Sequence, residues 1–226
     1  MVYLYMVPKW FVGYTLGLEL IFAIVTLCVS LLAFKVYKIT KEREPKLFSI
    51  GFLSIFFSYI IWFALNLVAL FELNESTEAL NIGTAISLIN LGAYAHLFFF
   101  MAGIITLTYT TLEIKSRRAL AMISSIIFIV IILSESKTVL FYSISAVLIL
   151  FLAVNYLIKY KVNNNPRLIT MLTAFFFLFI SMFELALSVN NRTHFVIGHV
   201  FMFVAYFLIL INLGYVLNHG QKKKQT

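Results

Sequence analysis

Seven apolar segments, separated by short polar connections, constrain this chain more than any other feature. A helix that spans a bilayer needs about 20 apolar residues. The segments run roughly over 10–34, 47–71, 82–112, 119–134, 138–158, 168–189 and 195–217. Short connections predict antiparallel neighbours, and so a single all-α domain over 1–226: an integral membrane bundle of seven transmembrane helices. Hydrophobic residues make up 62% of the chain and charged residues 12%, with a mean hydropathy of +1.01. Soluble domains are about 45–50% apolar and about 25% charged. A soluble enzyme, a disordered tail and a nucleic-acid-binding module are excluded on that basis. The one cysteine, Cys28, excludes an intrachain disulfide and any cysteine-cluster metal site.

Orientation follows from lysine and arginine in the short loops. The first loop carries Lys35, Lys38, Lys41, Arg43 and Lys46. The third carries Lys115, Arg117 and Arg118, the fifth Lys159, Lys161 and Arg167, and the tail Lys222, Lys223 and Lys224. Fourteen of the 17 basic residues therefore share one side, leaving Lys9, Lys137 and Arg192 on the other. This places the N-terminus outside and the C-terminus in the cytoplasm of a multi-pass protein of the cell membrane. The net charge of +8 then serves topology, and membrane lipids with anionic headgroups are the natural partner at the cytoplasmic face. No nucleic-acid partner is expected. The acidic cluster Glu72, Glu75 and Glu78 falls in an outer loop, as do the N-x-S/T triplets at Asn74 and Asn191. The first nine residues do not make the charged start of a cleavable signal, so the first span is expected to stay as an anchor.

The three prolines, Pro8, Pro45 and Pro166, all lie outside the spans. Transporters that rock around a midplane site usually carry Pro- or Gly-broken helices there, so unbroken helices describe a stiffer scaffold. The layout resembles rhodopsins and the large receptor families, but the resemblance ends at topology. No lysine lies in mid-span to form a Schiff base, and Asn212-Leu213-Gly214-Tyr215 lacks the proline of the receptor signature. His194 and His199 are five residues apart, not the single turn of seven-span zinc hydrolases. Gly13-x-x-x-Gly17 is a small-residue face for packing against another helix, in this chain, a second copy or another membrane protein. No nucleophile–base pair, phosphate-binding loop or nucleotide motif is present, and enzymatic activity stays open.

Four ionisable residues lie inside the spans: Glu19, His96, Glu184 and His199. A charge at mid-bilayer costs about 2.5–3.5 kcal/mol on insertion scales, and such residues are functional by default. Counted from the inner charged boundary, Glu19 stands 16 residues above Lys35, His96 19 above Lys115, Glu184 17 above Arg167 and His199 20 above His219. At about 1.5 Å per residue the four agree in height to about 6 Å. Trp62 falls in the same layer, with Asn66 one turn further out. Gly92 and Gly103 share a face with His96, and Phe203 and Tyr206 follow His199 at four and seven. Glycine beside a buried histidine admits either a flat cofactor or a close helix contact.

The leading expectation is a bound cofactor, with an electron-transfer or sensing role. His96 and His199 would be the two axial ligands of a b-type haem, with Gly92 and Gly103 giving it room. Alternatively His96, His199, Glu19 and Glu184 would ligate one divalent metal. A mixed N/O set suits Zn, Fe or Mn better than Cu(I), and two carboxylates in a dry site need such a countercharge. The competing expectation is a receptor or proton-linked carrier that uses the same layer without a metal. The plainest alternative is two Glu–His couples that only order the helices.

Overall fold

The computed structural model describes residues 8–75, 82–112 and 116–222. Side chains are described for most of these, but not for 69–89, 217–222, Lys9, Val12, Arg117 or Ala119. The acidic cluster at Glu72, Glu75 and Glu78, the triplet at Asn74, and Lys115 and Lys222–Lys224 of the basic set lie outside the described side chains. Every described element is helical. After a short 3-10 turn at Lys9–Phe11 come α1 (Val12–Thr40), α2 (Arg43–Glu75), α3 (Ile82–Thr111), α4 (Arg117–Leu133), α5 (Lys137–Asn163), α6 (Pro166–Leu187) and α7 (Arg192–Lys222).

Six of the seven are long and apolar enough to cross a membrane; α4 is the exception, with an apolar stretch of only Leu120–Leu133. Its 17 residues reach about 25 Å, against a hydrocarbon core of about 30 Å. The fourth expected span is therefore a helix, but a short one.

Local chemistry sets the ends. Asn165 caps α6 by accepting the Arg167 N–H at 3.1 Å, and Pro166 occupies the first helical position, where no N–H is needed. Lys41 (φ 61°) and Asn164 (φ 46°) end α1 and α5 in the left-handed conformation. Each returns its N–H to the carbonyl four residues back, at 2.8 Å. These are the only positive-φ residues among those described, so no helix is broken within its span. In-span threonines such as Thr26 and Thr108 bond carbonyls of their own helix. That satisfies the hydroxyl where no water is at hand.

The helices form a closed ring of six. The order of neighbours is α1, α2, α3, α5, α6, α7 and back to α1. α4 sits outside the ring against α3 and α5, with Phe128 stacked on Phe98 at 4.9 Å. Among the described side chains of α4 only Ile131 is buried, while Met122, Ile126, Ile129 and Leu133 are exposed. Because α4 is excluded, α3 and α5 become direct neighbours running the same way, joined by Phe100–Phe141 and Ser145–Met101. Antiparallel connections bring the first, third and fifth loops to one end, which is thus the basic end.

Close helix pairs are held by small polar residues. Ser30 and Ser49 each donate to the other's backbone carbonyl at 2.9 Å across α1 and α2. Ser54 donates to the Phe99 carbonyl at 2.7 Å across α2 and α3. Such bonds average about 0.6 kcal/mol each within a membrane, so they set register more than stability. A Cβ added to Gly13 or Gly17 would have nothing within 4 Å; their face points away from the ring rather than packing within it.

A candidate polar site on the bundle axis

Glu19, His96 and His199 face one small cavity of about 20 Å³ near the end opposite the basic loops. All six ring helices contribute to its wall: Glu19 from α1, Trp62 from α2, His96 from α3, Phe141 from α5, Met182 from α6 and His199 from α7. α4 contributes nothing. The volume matches about one water molecule. Glu19 is 1% exposed, His199 5% and His96 9%, so all three are largely withdrawn from solvent.

Each ionisable group is held in place. The Asn66 amide nitrogen donates to both Glu19 carboxylate oxygens, at 2.8 and 3.0 Å. The Ser58 hydroxyl gives its proton to the His96 carbonyl at 3.0 Å. It can then only accept from His96 Nδ1, 2.7 Å away, and the Ser58 carbonyl accepts from the same nitrogen at 3.1 Å. His199 Nδ1 donates to the Phe195 carbonyl at 2.8 Å. Backbone carbonyls thus put the proton of each neutral ring on Nδ1 and leave Nε2 as an acceptor. Neither Nε2 has a hydrogen-bond partner among the described residues, and neither is sealed from the cavity. Aromatic rings enclose both imidazoles. Trp62 lies over His96 at 4.9 Å, and Phe195 and Phe22 flank His199 at 4.2 and 6.1 Å. Below them Tyr59 bonds Tyr206 at 3.1 Å and Met202 at 2.8 Å.

The fourth expected member does not join them. Glu184 bonds His194 Nδ1 at 2.5 Å across the α6–α7 turn and does not line the cavity. Its height agrees with the layer, but its direction does not. Met182 and Leu185 take the inward positions of α6, and residue 184 is turned well away from both on a helix. This Glu–His couple joins α6 to α7, and it is made with a histidine other than the two in the layer. Gly92 and Gly103 likewise do not open a space for a cofactor. A Cβ on Gly92 would meet Leu65, and one on Gly103 would lie 2.7 Å from the Gly51 carbonyl oxygen. Their face is the α2–α3 contact. On α7, Tyr206 is buried but Phe203 is 39% exposed, and Met202 takes the inward position instead.

Sequence reasoning missed that Ser58 and Asn66 are the partners of the layer. The signal was present. Ser54, Ser58, Trp62 and Asn66 recur every four residues, which marks one polar stripe along α2. Its members bond the Phe99 carbonyl, His96 and Glu19 or lie over His96.

The donor set can be tested against the expected cofactors. A porphyrin is many times larger than the cavity and does not fit between these packed rings. Among the described residues, no group of three or more His, Cys, Asp or Glu side chains stands close enough to hold a metal ion. The geometry suits a proton, a water or another group of that size. In comparisons with models of protein families, with curated proteins and with solved structures, this chain matches none.

Proposed function

We propose that this is a receptor-like protein of the cell membrane, governed by occupation of the Glu19–His96–His199 cavity by a proton or a water-sized polar ligand. One observation carries the reading: three ionisable groups from three helices line one small cavity, and both imidazoles keep an unpaired Nε2. A carboxylate in so dry a place needs a compensating charge, and a proton shared within the cluster is the smallest group that supplies it. The closed ring and unbroken helices favour a receptor over a carrier, because alternating access usually works through interrupted helices. A change of one charge on the axis would act on six helices at once.

The protein carries its own reporter. It has two tryptophans, and Trp62 lies over His96 while Trp10 is exposed. An imidazolium quenches an adjacent excited indole by accepting an electron, whereas a neutral imidazole does so weakly. In Trp10→Phe protein, emission from Trp62 is expected to titrate with pH, and His96→Gln is expected to abolish that titration. Glu19→Gln is expected to displace its midpoint. A flat emission profile over the range in which the protein stays folded would overturn the reading. Elemental analysis and an absorption spectrum of the same sample are expected to show no stoichiometric Zn, Fe or Mn and no Soret band. One equivalent of metal, or a Soret band lost in His96→Ala, would restore the cofactor reading.

The basic end is assigned to the cytoplasm on the positive-inside rule. In a Cys28→Ser background, Thr193→Cys is expected to react with an impermeant maleimide on intact cells, and Ser116→Cys only after lysis. The reverse pattern overturns the orientation.

A further inference from the structure

A second pocket lies at the basic end, remote from the axial cavity and independent of the function proposed for it. It is a cleft of about 330 Å³ lined by α1, α2, α3, α5, α6 and α7. That is the lower end of the range for small-molecule sites, roughly 300–1,000 Å³. Its wall divides in two. Phe48 and Met171 represent an apolar part, and Glu44, Lys159, Arg167 and Asn212 a polar one.

Two groups there are built but unused. Asn212 is 8% exposed and lines the cleft, yet its amide makes no hydrogen bond among the described residues. Its amide nitrogen and oxygen are not sealed from the cleft, so they are free to bond a polar group that enters it. Arg167 gives its backbone N–H to the cap of α6, while its guanidinium, half-buried, pairs with no carboxylate among the described residues. Lys159 and Glu44 stand 4.0 Å apart and offset each other, so Arg167 leaves the cleft one net positive charge. A guanidinium and an amide over an apolar floor suit a planar or tetrahedral oxyanion carried on an apolar body.

We propose that this cleft binds an amphiphile with an anionic phosphate or carboxylate head, the head between Arg167 and Asn212 and the apolar part against Phe48 and Met171. This goes beyond general attraction of basic loops to a charged surface: it predicts one saturable site of defined residues. Two sources share the chemistry, a phospholipid of the adjoining leaflet and a soluble amphiphilic anion.

The full chain, purified and delipidated in a neutral detergent, is titrated with phosphatidylglycerol and, separately, with hexyl phosphate, using native mass spectrometry. Hexanol serves as the uncharged control. One equivalent of an anionic ligand is expected to bind, and hexanol is not. Arg167→Gln and Asn212→Leu are each expected to weaken binding roughly tenfold, the scale of one lost charge-assisted contact, while Arg167→Lys retains more than Arg167→Gln. Trp62 emission and helical content check that each variant is folded, and either folded variant suffices for the test. Saturable binding of phosphatidylglycerol alone supports the lipid source; saturable binding of hexyl phosphate supports the soluble one. Non-saturable binding of both, or binding that a folded Arg167→Gln or Asn212→Leu protein leaves unchanged, overturns the proposal.

Discussion

Replacing Asn66 by leucine is expected to destabilise the protein by about 2–3 kcal/mol, roughly a hundredfold in the folding equilibrium. Neutral hydrogen bonds inside membranes are worth about 0.6 kcal/mol on average and about 1.7 at most. A larger effect is expected here because the Asn66 amide serves both oxygens of a carboxylate. A buried carboxyl left without its donor bears a cost of lost solvation of about 1–3 kcal/mol, and more for whatever share of it is ionised. Leucine fills a similar volume, so the loss reports the polar contact rather than a hole. The double variant Asn66→Leu with Glu19→Leu is expected to recover most of the stability, since removing both partners removes the unpaired group as well. Unfolding in mixed micelles, titrated with a denaturing detergent, measures both. A loss of about 0.6 kcal/mol or less, with no recovery in the double variant, would show that Glu19 does not depend on Asn66.

The same pair shows what a sequence of this kind discloses. Depth in the membrane can be counted from the charged boundaries, because rise per residue is constant in a helix. The count put Glu19, His96, His199 and Trp62 in one layer, and all four line the axial cavity. Azimuth cannot be counted in that way. Each helix can turn about its axis without changing depth, and only the packing of neighbours decides which face looks inward. Glu184 has the right height and the wrong azimuth, and bonds His194 instead. The histidine and glycine face of α3 was ambiguous for a related reason. Gly92 and Gly103 describe a gap, and whether a cofactor or another helix fills it depends on what α2 places opposite. α2 places Leu65, Ile55 and Gly51 there. α4 has the composition of a span, and only its length, visible in the narrow segment 119–134, hinted that it stands apart. At the basic end the charges of Lys159 and Arg167 are fully explained by topology when read along the chain. It takes the fold to bring them around Asn212.

The α2–α3 contact gives the other large expected effect. Gly103→Val is expected to destabilise at the upper end of the roughly 1–3 kcal/mol typical of overpacking, while Gly17→Ala is expected to be neutral to within about 0.5 kcal/mol. Both are glycines in long apolar helices, and composition does not distinguish them. The difference is what a side chain would meet. At Gly103 a Cβ would lie 2.5 Å from Ile55 Cγ1 and 2.7 Å from the Gly51 carbonyl oxygen. The isoleucine can shift to another rotamer, but the backbone oxygen moves only if α2 moves with it. Gly51 faces the same limit in return, with the Gly103 carbonyl oxygen 3.2 Å from its own Cβ position. A valine therefore forces the two helices apart over a region that also holds the Ser54–Phe99 and Ser58–His96 bonds. Separation there would release His96 Nδ1 from its carbonyl and loosen the wall of the axial cavity. The variant should then lose stability and also change Trp62 emission, because Trp62 lies over His96. Gly17, with nothing within 4 Å of its Cβ position, should do neither. Equal tolerance of the two substitutions in the detergent titration would mean that α2 and α3 do not approach at Gly51 and Gly103, and the placement of His96 on the axis would fall with that contact.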